Sequence, residues 1–73
     1  MADTAEWETK VKGLLKAELK RKGVTYGQLV DRLGAIGVTE SEPNIRNKLA
    51  RGKFTAVFLV QCLEAIEARE LRL

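Results

Sequence analysis

The chain has 73 residues, with 13 Lys plus Arg against 10 Asp plus Glu, no His, one Cys and 45% apolar residues. A length near 70 allows one domain, and so small a domain buries only about 60% of the surface its unfolded chain exposes. A single cysteine excludes an internal disulfide, and the absence of His removes the commonest zinc ligand and the usual general base.

Aromatic residues make up 5% of the chain, too few for the stacking platforms of single-strand binders. No apolar run approaches ~18 residues and the N-terminus is acidic, so neither a membrane span nor a signal peptide is expected. A cytoplasmic location follows as an expectation. The net charge of +3 is modest, but it is unevenly spread. Asp3, Glu6 and Glu8 precede any base, residues 10–22 carry Lys10, Lys12, Lys16, Lys20, Arg21 and Lys22 against Glu18 alone, and residues 44–53 carry Arg46, Lys48, Arg51 and Lys53 with no acid. Base clustered apart from acid is what a polyanion-binding face requires.

Trp7, Val11, Leu14, Leu15 and Leu19 follow the spacing of a one-sided amphipathic helix, which predicts a first helix from about Thr4 to Lys22. Asp3 or Thr4 can cap it, the basic Lys20-Arg21-Lys22 cluster suits its negative end, and Gly23 stops it. Trp7 is expected as an apolar plug at its start. On the wet side, Lys12, Lys16 and Lys20 stand four apart in a like-charge stripe.

Thr25 and Gln28 form a capping box, flanked by Val24 and Leu29 at the positions of a hydrophobic staple. The second helix then runs through Leu29, Val30, Leu33 and Ile36 until Gly37. For the third, Ser41 is the preferred N-cap, or Glu42 with Pro43 at N1, because a cap at Thr39 would put Pro43 where an amide is needed. This helix, about 42–51, turns only Ile45 and Leu49 inward with Ala50 beside them, and sets Asn44, Asn47, Lys48 and Arg51 on the opposite arc. Gly52 closes it. Phe54, Thr55 and Leu59 repeat the staple and cap, and the fourth helix, with Val57, Phe58, Leu59, Cys62, Leu63 and Ile66, is expected to be the most buried element. Leu71 and Leu73 beyond it must pack on the body or on another subunit.

No catalytic constellation is present. The lone Cys62 lies in an apolar stripe and reads as core packing, there is no Gly-rich phosphate loop, and no metal, cofactor or small-molecule substrate is expected. The positive signal is the third predicted helix. Two core residues opposite a polar, cationic arc suit the major groove, where Asn reads adenine, Arg reads guanine and Lys adds phosphate contact. The plainer reading of the same arc is the solvated face of a small helical bundle.

Two resemblances bear on the choice. Thr25-Tyr26-Gly27-Gln28-Leu29 with Leu33, then Ile45, Leu49 and Arg51-Gly52-Lys53, then a Leu/Ile-rich helix, resembles the helix-turn-helix domains of the phage-repressor and Cro class. Leu33 to Ile45 is several residues longer than that family's tight turn, and Tyr26 stands where a phosphate-contacting Gln is usual. Almost end to end, through Asn44-Ile45-Arg46-Asn47-Lys48-Leu49, Arg51-Gly52-Lys53-Phe54-Thr55 and Gln61-Cys62-Leu63-Glu64-Ala65-Ile66, the chain is similar to a family of short bacterial proteins of unknown function. The first resemblance implies an all-α, four-helix, lambda-repressor-like domain that binds double-stranded DNA as a homodimer and regulates transcription, with Tyr26, Gln28, Asn44, Arg46, Asn47, Lys48, Arg51 and Lys53 toward the nucleic acid. The alternative is a small protein-interaction or dimerisation module.

Overall fold

The computed structural model describes residues 3–73, and every helix in them begins at a residue whose side chain accepts from a first-turn amide. Asp3 Oδ1 takes the Glu6 N–H at 3.1 Å, Thr25 Oγ1 that of Gln28 at 3.1 Å, Ser41 Oγ that of Asn44 at 3.3 Å and Thr55 Oγ1 that of Phe58 at 3.0 Å. The helices so started are α1 (Thr4–Lys22), α2 (Tyr26–Ala35), α3 (Glu42–Arg51) and α4 (Ala56–Ala65), with no strand among the described residues. At α2 the cap is reciprocal, since Gln28 Oε1 accepts the Thr25 N–H at 2.9 Å. The capping box and the choice of Ser41 over Thr39 are as the sequence predicts.

Three helix ends close in the same way. Val24 N–H reaches the Leu19 carbonyl, Val38 that of Leu33 and Ala68 that of Leu63, each at 2.9 Å and each just after a left-handed residue. The apolar side chain after the turn then folds onto the core. α2 stops at Ala35, so Ile36 is its cap rather than a core residue and stays 46% exposed.

The core takes Leu15 and Leu19 from α1, Leu29 and Leu33 from α2, Ile45 and Leu49 from α3, and Phe58 and Cys62 from α4, with Ile66 just beyond it. α3 and α4 each pack against both α1 and α2. One buried carboxylate, Glu18, is paired to Arg21 one turn on, and among the described residues no buried side-chain nitrogen or oxygen lacks a partner.

One expectation is met with an exception, and one needs correction. α4 has the largest buried share of the four helices, with Phe58, Cys62 and Ala65 enclosed, but Val57 and Val60 point outward, 65% and 61% exposed. Trp7 is not a plug. Its indole is 61% exposed and borders an open trough with Val11, Leu14, Leu71 and Leu73, since the residues that enclose this end of α1 are the few of a thin C-terminal tail.

Candidate nucleic-acid interface

Ile45 and Leu49, both fully enclosed, fix the rotation of α3 about its axis, and that rotation turns the remaining positions outward. Asn44, Asn47 and Arg51 are exposed, Lys48 is half-buried, and Lys53 follows in the loop. Asn44, Asn47, Lys48, Arg51 and Lys53 together line one shallow cleft of about 210 Å³. Five of the eight residues assigned to DNA from the sequence are thus gathered in one place.

The end of α3 is held by a contact that only glycine permits. Gly52 has φ +70° and is buried against α1, where a Cβ would lie 2.3 Å from the Glu8 carbonyl oxygen. Lys12 Nζ donates to the Ala50 carbonyl at 2.9 Å, satisfying an acceptor in the last turn of α3. The first lysine of the α1 stripe is therefore part of the support for the cleft. Lys16 and Lys20 instead border a groove of about 380 Å³ with Tyr26, Thr25, Val24 and Leu19.

Tyr26 is half-buried and Gln28 is exposed with its side-chain oxygen engaged in the cap. Both lie at the start of α2, which meets the start of α3: a Cβ on Gly27 would come within 2.9 Å of Glu42 Oε1. The two sets of assigned residues are thus neighbours through Glu42, though they line different depressions.

The sequence window 44–53 lacks acids, yet folding brings three to it. Arg46 pairs with Glu42 at 2.8 Å, Lys48 with Glu40 at 2.7 Å, and Lys53 approaches Glu8 at 3.9 Å. Among the described residues Arg51 has no ion-pair partner. The Arg46 and Lys53 pairs are exposed on the cationic side and contribute little to stability.

The Lys48 pair is different. Its ammonium bridges the 36–41 turn and α4, binding Glu40 and standing 4.3 Å from the centre of the Phe58 ring, which in turn meets Phe54 edge-on at 5.4 Å. Lys48 holds Glu40 below its ordinary value of 4.5, chiefly through this hydrogen bond, with smaller help from the Ser41 amide and Asn44. Burial pushes the nearby Cys62 thiol up to about 12, and the Glu40 charge adds to that. The thiol stays protonated and unreactive, in keeping with a packing role. Glu40 was missed in the sequence because its partner is eight residues away across a turn.

Among the described residues no three His, Cys, Asp or Glu side chains cluster as a metal site would require, and no helix is long and apolar enough to cross a membrane. What fold and cleft define is a small all-α domain presenting one polar, cationic helix face opposite the enclosed Ile45 and Leu49. The chain belongs to the family described as a domain of unknown function, DUF6471, whose model matches residues 7–71. That agrees with the near end-to-end resemblance read from the sequence. No curated protein and no solved structure matches it.

Proposed function

We propose that the chain binds duplex DNA through the outer face of α3, as a small transcriptional regulator of the helix-turn-helix kind in which α2 and α3 form the pair. The observation that carries this reading is the cleft at Asn44, Asn47, Lys48, Arg51 and Lys53, with Ile45 and Leu49 locking the opposite side of the helix. Asn44 and Asn47 offer the paired donor and acceptor that adenine presents in the major groove, and Arg51 offers a fork for guanine or phosphate. Lys53, with Lys16, Lys20, Tyr26 and the Gln28 amide, would reach phosphates on either side. Arg46 and Lys48 must exchange a carboxylate for a phosphate before they contribute.

Fluorescence anisotropy on a labelled random duplex tests it. Of the cations assigned to the duplex, Arg51, Lys16 and Lys20 have no acid partner among the described residues, and these three, at about 0.9 each, give a slope of log K against log salt of about −3 per subunit. Arg51→Ala should leave folding intact and reduce that slope by about one. Absence of binding at ~50 mM salt, where non-specific affinity is already enhanced, overturns the reading. The other reading, a protein-interaction module without nucleic acid, draws support from the acids that meet Arg46, Lys48 and Lys53 within the chain.

A further inference from the structure

The start of α1 carries an open, largely apolar strip beside the side that holds the end of α3. Trp7, Val11 and Leu14 recur there at helical spacing, and the C-terminal tail returns along the same helix. Lys22 Nζ donates to the Glu67 carbonyl at 3.1 Å, and further along Leu71 and Leu73 arrive beside Trp7. These five side chains, with Thr4, Glu8 and Lys10, line a trough of about 630 Å³, with Trp7 61% and Leu73 86% exposed. A contiguous exposed surface of this kind on a small domain marks an interaction site.

We infer that the trough is closed by the trough of a second copy of this chain, the two α1 helices lying antiparallel about a two-fold axis near Val11. Charge selects both the partner and its direction. α1 opens with Asp3 before it and Glu6 in its first turn and ends with Lys20, Arg21 and Lys22. Antiparallel copies set each acidic start toward the other's basic end, whereas parallel copies set like against like, which is unfavourable. Shape makes the same choice. The trough and the projecting indole belong to one surface, so a two-fold lets each copy supply the ring that fills the other, which is what an isologous interface demands. An anionic membrane is a poorer fit, because the acids of the first turn flank the exposed indole and would face like-charged headgroups.

The trough and the α3 cleft share no lining residue and meet only where Glu8 approaches Lys53. The pairing therefore stands or falls separately from DNA binding, although a paired chain would present two α3 faces.

Trp7 is the single tryptophan and reports on its own burial. Sedimentation equilibrium of the intact chain over about 1–200 μM should show a monomer–dimer equilibrium, with tryptophan emission moving to the blue as dimer forms. Trp7→Ala should remain monomeric across that range while keeping the helical signal and melting point of the intact monomer, since the indole is largely exposed; emission of course is lost in that variant. Leu71→Ser retains the tryptophan and should abolish the concentration-dependent shift. Glu6→Lys should weaken pairing about two- to five-fold at low salt if the copies are antiparallel, as a surface charge contact does. Monomer at ~200 μM overturns the inference, as does a dimer left unchanged by Trp7→Ala. So does a blue shift that appears only with phosphatidylserine vesicles and never with concentration. Arg51→Ala should pair normally, which separates this test from that of the α3 cleft.

Discussion

α3 and α4 are both ten residues long, both are capped by a hydroxyl side chain, and both rest on α1 and α2. Their compositions are opposite. Glu42-Pro-Asn-Ile-Arg-Asn-Lys-Leu-Ala-Arg51 has two large apolar residues, and both are wholly enclosed; α4 has far more, yet leaves Val57 and Val60 in water. Enclosure depends on what lies over a face, and apolar composition only makes enclosure favourable. α3 is pinned at its end by Gly52 against α1, at its last turn by Lys12 and at its middle by Lys48 to the 36–41 turn. A polar helix is thereby held rigidly with its outer face free, a suitable arrangement for a binding surface.

The most severe way to break this contrast is at the end of α3. Gly52→Ala must find room for a methyl group 2.3 Å from a backbone oxygen while holding φ at +70°, and should cost at least about 3 kcal/mol. In a domain of this size, that is a fall in melting temperature of about 12–24 °C. Gly37→Ala has a comparable φ of +84° and nothing within 4 Å of the added carbon, so it should lose only about 1 kcal/mol. Equal losses at the two glycines in thermal melts would mean that the approach to Glu8 contributes nothing.

A second pair of substitutions compares the helices directly. Leu49→Ala removes a fully enclosed side chain from the more polar helix and should cost about 3 kcal/mol in urea unfolding. Val60→Ser, on the more apolar helix, should stay within about 0.5 kcal/mol. If a dimer forms over α4 instead of over Trp7, Val60→Ser becomes costly at high protein concentration, and the contrast narrows.

The smallest expected effect concerns the pin at Lys48. Glu40→Gln keeps a hydrogen-bonding group of the same shape but loses the charge, and should cost about 1–2 kcal/mol at neutral pH. Because Glu40 titrates lower in the folded chain than its ordinary value of 4.5, its contribution is complete above that value and disappears as pH falls through the lower, folded one. The difference in melting temperature between the native chain and Glu40→Gln should therefore be full at pH 6 and shrink below pH 4.5. A difference that persists undiminished into strong acid would show that shape, and not charge, holds the turn.

Much of the helix layout was legible because its signals are local. Thr25 with Gln28, Ser41 before Pro43, Gly23 and Gly52 each act within a few residues of themselves, and each marks the boundary it promised. The inward placement of Ile45 and Leu49 was equally readable, since two apolar residues four apart in a polar helix have only one face to share. The acidic partners of Lys53 and Lys48 were not. Glu8 and Glu40 lie well away from Lys53 and Lys48 in the chain, and local spacing says nothing about which surfaces a fold brings within 4 Å.

The sequence by itself determined four helices, their caps, and which side of α3 carries Asn44, Asn47 and Arg51, because hydrogen-bond caps and the helical repeat are properties of a few consecutive residues. Only the tertiary structure decided that Lys48 and Lys53 meet an acid while Arg51 does not, that Trp7 lies open beside Leu71 and Leu73, and that the outer face of α4 is bare. Those outcomes depend on distances between segments far apart in the chain, and such distances are fixed by how the helices stack on α1 and α2.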